Sequence, residues 1–275
     1  MNITKKMITA LTVITAALIL MVGNGCSKDD DSSPTPEPAR KTSYDLLVKD
    51  VLGVTGTVTF IETSATSTTI DIVLVGAPVG THPAELCMNS AIEGGAVIVN
   101  LNPVDETGKS STVVSTMSYP ELIEYDGFIQ VKKSTNEPYI ILVQGDIGGN
   151  VITTTNITYV LHPIDLFGVS GTALFEKRIN GNTLVTVTLT GVISGEIYPS
   201  SINVGSITTV GGGPVVVMLN SVEGNTGNSY TNIRKLDNGT IIMYDNWLLY
   251  QGYVNIYQTT VNINNIICHG NIGSN

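Results

Sequence analysis

Charge is scarce in this chain. Asp, Glu, Lys and Arg make up 13% of its 275 residues, against about a quarter in an average soluble domain. Basic residues are the scarcer sign: 13 Lys and Arg face 23 Asp and Glu, for a net charge of −10. The acidic balance, without a basic stripe, argues against nucleic acid and anionic lipid as partners. Aromatic residues are few and there is one Trp. Three His and three Cys leave too few ligands for a metal centre built from several converging imidazoles. Sustained helical periodicity is missing as well. The longest apolar run, Met7 to Val22, is short for a membrane span and has the length of a signal-peptide core.

What fills the space is Thr, Val, Ile, Asn and Gly, the residues of short strands and tight turns. They are arranged twice. Gly53-Val54-Thr55-Gly56-Thr57-Val58-Thr59-Phe60 returns as Gly168-Val169-Ser170-Gly171-Thr172-Ala173-Leu174-Phe175. Tyr44 answers Tyr159, Leu46 answers Leu161, and Gly76 answers Gly191. The match continues through Gly95 to Asn102 against Gly213 to Asn220, and Tyr125-Asp126-Gly127-Phe128 against Tyr250-Gln251-Gly252-Tyr253. It ends with Gln144 to Gly148 against His269 to Gly273. Matches that keep their order through a whole unit indicate a duplicated domain, with copies over residues 43–150 and 158–275.

Ahead of the copies, Lys5 and Lys6 precede the apolar run, which leads to Gly23-Asn24-Gly25-Cys26. This resembles the lipobox of bacterial lipoproteins, with Gly23 where the usual pattern has Leu. The resemblance implies a signal peptide over 1–25, lipidation of Cys26, and anchorage in a Gram-negative outer membrane or on the cell surface. A plain membrane-anchor helix is the alternative. Ser27-Lys28-Asp29-Asp30-Asp31 looks like the surface-export tag of some such lipoproteins, or is simply the acidic start of a linker. Pro-rich, polar residues follow, so 26–42 is expected to be an extended tether.

In the first copy Val54 to Glu62, Thr68 to Val75, Ala96 to Leu101, Phe128 to Val131 and Tyr139 to Gln144 read as strands. In the second, Gly171 to Lys177, Thr183 to Thr190, Pro214 to Leu219, Tyr253 to Tyr257 and Val261 to Cys268 do so. Asn180-Gly181-Asn182 is a hairpin signal between two of them. Tyr119 to Tyr125 and Asp245 to Tyr250 are candidate short helices. The expected class is all-β, with two antiparallel sandwiches, because each strand has one apolar face to bury.

The order Gly-Val-Thr-Gly, Leu74-Val75-Gly76, His82, Gly95 to Leu101 and Gln144-Gly145-Asp146-Ile147 resembles the CHRD domain. That resemblance implies two tandem eight-stranded Greek-key β-sandwiches, similar to copper/zinc superoxide dismutase. The metal ligands of the dismutases do not carry over. Ala84 stands where a second His would follow His82, Asn100 stands where a ligand His would be, and the second copy reads Ile197-Tyr198-Pro199-Ser200 in the corresponding loop. A weak site using His82 and Cys87 is the remaining metal reading. His82 is otherwise a loop residue bonded to its own turn.

Gly108-Lys109-Ser110 imitates the end of a phosphate-binding loop. It lacks the first Gly and is followed by a strand pattern rather than a helix, so it is read as a hairpin turn. Cys87 and Cys268 are not equivalent in the repeats; they are either bridged or two buried thiols. Asp105, Glu106, Glu121 and Glu124 read as solvated charges. The leading expectation is a non-catalytic, lipid-anchored envelope protein without cofactor, presenting two domains to an unknown protein or glycan. Tyr119, Tyr125, Tyr244 and Trp247 are its candidate contacts. The alternatives are a divergent metal protein using the His82–Cys87 loop, and a structural subunit of a surface assembly joined by edge strands.

Overall fold

Thr68, Ile70, Ile72 and Leu74 alternate with more exposed neighbours, and all four are buried. That period of two is what an extended strand with one apolar face requires. The computed structural model describes residues 39–164, 168–259 and 265–275. The first copy contains β1 (Lys41–Val48), β2 (Thr55–Ser64), β3 (Ser67–Val75), β4 (His82–Met88), β5 (Val97–Val104), β6 (Lys109–Val114), α1 (Tyr119–Glu124), β7 (Gly127–Lys132) and β8 (Ile141–Ile147). After a short 3-10 turn at Gly148–Asn150 the second copy follows. It contains β9 (Ile152–Pro163), β10 (Ser170–Arg178), β11 (Thr183–Thr190), β12 (Ile197–Val204), β13 (Val215–Glu223), β14 (Asn228–Ile233), α2 (Tyr244–Trp247), β15 (Gln251–Tyr257) and β16 (Ile266–Gly273). Residues 39–275 form one compact unit.

The protein is all-β, with two eight-stranded, barrel-like sheets. The first runs β5-β4-β7-β8-β1-β2-β3-β6, and the second closes as β10-β11-β14-β13-β12-β15-β16-β9. Read as rings, the two orders are the same. Only the seam differs. In the second copy Glu223 pairs with Asn228 and joins β13 to β14. In the first, β5 and β6 have no ladder, and side chains hold the seam instead. The Asn102 backbone N–H donates to Thr112 Oγ1 at 2.8 Å, and its side-chain amide donates to the Ser111 carbonyl at 2.7 Å. Asn220 does the same with Thr231 and the Tyr230 carbonyl. The repeated Asn of the Leu-Asn motif is therefore a seam residue.

Each sheet wraps its own core. Phe60, Ile70, Ile72, Leu86 and Ile129 belong to the first, and Phe175, Val185, Trp247 and Ile256 to the second. Full burial of one such side chain contributes about 1.5–3 kcal/mol. The repeated glycines close the β2–β3 end. Gly76 has φ +77°, and a Cβ there would meet the Gly53 carbonyl oxygen at 2.3 Å. Only glycine allows that approach.

β11 has the ends read from the sequence, and the two helices lie within a residue or a turn of those expected. Five strands were not read as such: β1, β4, β9, β12 and β14; the strand pattern after Gly108-Lys109-Ser110 is β6, which begins two residues earlier than read. β4 and β12 are buried on both faces, so their residues show no alternation. β1 opens at Lys41, and Lys41 and Thr42 pair with Ile61 and Phe60 at the end of the span expected to be tether. β9 opens at Ile152, before the Thr158 at which the second copy was expected to begin. The residues expected to form a signal peptide, Cys26 and most of the expected tether lie outside the described residues, as does the start of the strand read from Val261. Among the described residues no helix is long and apolar enough to cross a membrane.

Candidate functional site: the cleft between the repeats

The Asn180-Gly181-Asn182 turn between β10 and β11 reaches across to the first copy. The Asn180 N–H donates to the Gly149 carbonyl at 3.1 Å, and the Ile179 N–H donates to that of Val151 at 3.0 Å. The Asn180 side-chain amide donates to Asp126 Oδ1. Beside it, Arg178 is wholly buried. Its Nη1 donates to Asp146 Oδ2 at 3.1 Å and to the Asn150 carbonyl. Asn232 adds a bond from its N–H to Glu93 Oε1 at 3.0 Å. Burial pushes the Asp146 carboxyl above its ordinary range, while the Ala91 N–H and the Arg178 guanidinium oppose that rise. Arg178 Nε and Nη2 and the Asn150 and Asn232 side-chain oxygens have no partner among the described residues.

This junction is where the duplication was modified. Asp146 corresponds to Asn271, and both oxygens in the Oδ1 position accept a backbone N–H, from Ala91 and from Ile207. A carboxylate at 146 adds a second oxygen, which takes Arg178. Asn150 and Asn275 likewise keep one role. The side-chain amides donate to matching carbonyls, Asn89 and Gly127 in the first copy and Gly205 and Gly252 in the second, where Asn275 also reaches Ile272. Asn89 stands at φ +65° where its counterpart is a glycine.

Above the junction lies an open recess of about 600 Å³, lined by Met88, Asn89, Met117, Glu121, Glu124, Tyr125, Asp126 and Arg234. A second of about 400 Å³ shares Asp126 and Arg234 and adds Asn180, Asn182, Lys235, Ile241 and Met243. The first copy supplies the acids and the second the bases. Arg234 and Lys235 are exposed and have no ion-pair partner among the described residues. Glu124 is also exposed and unpaired. Glu121 is occupied: it accepts from the N–H and hydroxyl of Ser118 and holds the start of α1, which keeps its carboxyl below the ordinary range. Burial, then Asp126, raises the Tyr125 phenol, so it stays protonated. The lining offers a ligand charge of both signs and apolar contact, with no Ser, Cys or His among its residues.

The residues singled out in the sequence fall elsewhere. His82 is the first residue of β4 rather than a loop residue, and it is buried. Its two ring nitrogens lie 2.6 and 2.8 Å from the Lys133 and Pro78 carbonyl oxygens. The Pro78 bond is the expected one to its own turn. Cys87 is five positions further along the same strand, about 16 Å away at the rise of an extended chain. Two side chains so spaced cannot share one ion, which removes the His82–Cys87 pairing. Cys87 and Cys268 are both free and buried. Burial, then the Glu85 carboxylate, pushes the Cys87 thiol up to about 11, and burial pushes Cys268 to about 12. Among the described residues no cluster of three or more His, Cys, Asp or Glu is placed to hold a metal.

Of the four aromatic candidates, Tyr119, Tyr244 and Trp247 are buried, and Tyr125 lines the cleft. Gly108 ends a hairpin turn, and Lys109 and Ser110 are the first residues of β6. Asp105 Oδ1 accepts from the Thr107 and Lys109 N–H groups and the Thr107 hydroxyl, and β6 follows. Arg178, Asp146 and Arg234 were missed. The signal for the first two was present: they are departures from an otherwise matched repeat, Asp146 against Asn271 and Arg178 against Thr63. Comparison of the chain with family models, with curated proteins and with solved structures gives no match.

Proposed function

We propose that this chain is a lipid-anchored envelope protein whose two β bodies are non-catalytic, and whose inter-repeat cleft binds a polypeptide segment. One observation carries the binding reading. Arg234, Lys235 and Glu124, with no ion-pair partner among the described residues, line the two recesses together with Met88, Met117 and Met243. Methionine side chains adapt to varied partners, and opposed charges fix the direction of a zwitterionic chain. A glycan is the weaker occupant, because three of the four aromatic candidates for stacking are buried in the cores.

The envelope address rests on Lys5, Lys6, the apolar run and Cys26. The tandem Greek-key sandwich of the CHRD type is supported by the ring order common to both copies. In the closed second copy β12, β13 and β14 are consecutive neighbours, and β11 lies beside β14, the arrangement of a Greek key.

Two experiments test the proposal. Selection from a random peptide library on the purified body should yield peptides that carry an acidic residue and lose binding to Arg234→Glu. Ligands indifferent to both Arg234→Glu and Glu124→Lys would sink the cleft reading. Metabolic labelling with a fatty acid should mark the chain in membranes and fail on Cys26→Ala; a wild-type chain that stays unlabelled removes the anchor.

A further inference from the structure

The duplication also exposes a pair of histidines that the sequence keeps far apart. His162 on β9 and His269 on β16 are directly opposite each other in the ladder. In the first copy the same two positions are Leu47 on β1 and Gln144 on β8, again directly opposite. One cross-strand pair has therefore become two imidazoles in one copy only. Residues opposite on an antiparallel pair share a face, with Cβ atoms about 4.5–5.5 Å apart. That is close enough for one ion to bridge two ring nitrogens at about 2.0–2.1 Å each. The next strand continues the row, since Asn255 on β15 is directly opposite His269. Asn255 is 3% exposed, and its Oδ1 has no hydrogen-bond partner among the described residues.

We propose that His162 and His269 form a site for one borderline divalent transition-metal ion, Cu²⁺ before Zn²⁺ or Ni²⁺, with Asn255 supporting it. Imidazole nitrogen suits these ions, and Cu²⁺ heads the affinity order for a nitrogen site. Asn255 Oδ1 has a free acceptor to offer the second N–H of His269 or a hydrogen of metal-bound water, the kind of contact that orients a ligating imidazole. His162 is exposed, so an ion reaches the pair from solvent. The site is separate from His82, whose nitrogens are both engaged by carbonyls.

Calorimetric titration of the tag-free chain with Cu²⁺ at pH 7.5 should give one equivalent. The electron paramagnetic resonance spectrum of the complex should show coupling to two imidazole nitrogens. The double variant His162→Leu/His269→Gln carries the first copy's own residues at both positions, so the fold already accommodates them. It should lose affinity by about 100-fold or more, Asn255→Ala should lose about tenfold, and His82→Gln should change nothing. The single variant His162→Gln, at an exposed position, should remove one nitrogen coupling and stands as the test if the double variant is misfolded. Undiminished binding by these His162 variants, or a complex without imidazole coupling, overturns the proposal.

Discussion

Asp146 and Arg178 form a buried ion pair between the copies, with Arg178 wholly shielded from water. Such a pair adds little over an apolar replacement, but removing one partner strands the other. Asp146→Asn, which installs the second copy's residue, should destabilise the protein by about 3–5 kcal/mol in urea denaturation. Asp146→Asn with Arg178→Met should recover most of that loss; a double variant as unstable as the single one contradicts the pair. The thiols give a second prediction. With Cys87 and Cys268 pushed to about 11 and about 12, iodoacetamide at pH 8 should modify neither in the native protein and both in guanidinium, because the thiolate is the reactive form.

His269 gives a third, with a definite sign. Its folded value lies below the unfolded 6.5, so the unfolded chain binds the extra proton in the window between them. Its contribution to stability is present above 6.5 and lost as the pH falls through the folded value. His269→Gln should therefore flatten the acid limb of the stability curve just below pH 6.5. An imidazole resonance of His269 titrating above 6.5 would contradict this.

At the scale of the element, legibility followed burial. β11 shows its alternation and could be read to the residue. β4 and β12 could not, because both of their faces are covered and polar side chains such as Ser200 and Ser201 are buried with the apolar ones. β6 was legible as the strand pattern after the Gly108 turn, but its start was not, because Lys109 and Ser110 look like part of that turn. The helices were expected close to where they lie, but the Ser118–Glu121 capping box that starts α1 was not, since Glu121 reads as a solvated charge. The two glycines of the β2–β3 end separate two physical effects. Gly53 has φ +85° with nothing within 4 Å of a Cβ, whereas Gly76 has φ +77° and backbone oxygen at 2.3 Å. Gly53→Ala should cost only the left-handed backbone, about 1–2 kcal/mol. Gly76→Ala should cost distinctly more, since backbone must also shift. Equal losses in urea melts would mean that the close approach relaxes freely.

At the scale of the whole molecule, the repeat that made the architecture legible also concealed the junction. Matching residues between copies reports what both share: the cores, the glycine corners and the asparagine seam. The contacts that join the copies are made by residues that do not match, and the cleft inherits its charges from the same departures. The junction is small but buried, so it should couple the two bodies in unfolding. The lone Trp of the chain makes this measurable, because Trp247 is buried in the second core and its fluorescence reports that copy alone. Far-ultraviolet circular dichroism reports both. In the wild-type protein the two signals should follow one urea transition. In Asp146→Asn they should separate, the Trp247 signal moving to lower urea, because the junction loses its ion pair and the stranded Arg178 lies in the second copy. Two signals that still coincide, both shifted to lower urea, would mean that the copies are held together by something other than Arg178 and Asp146.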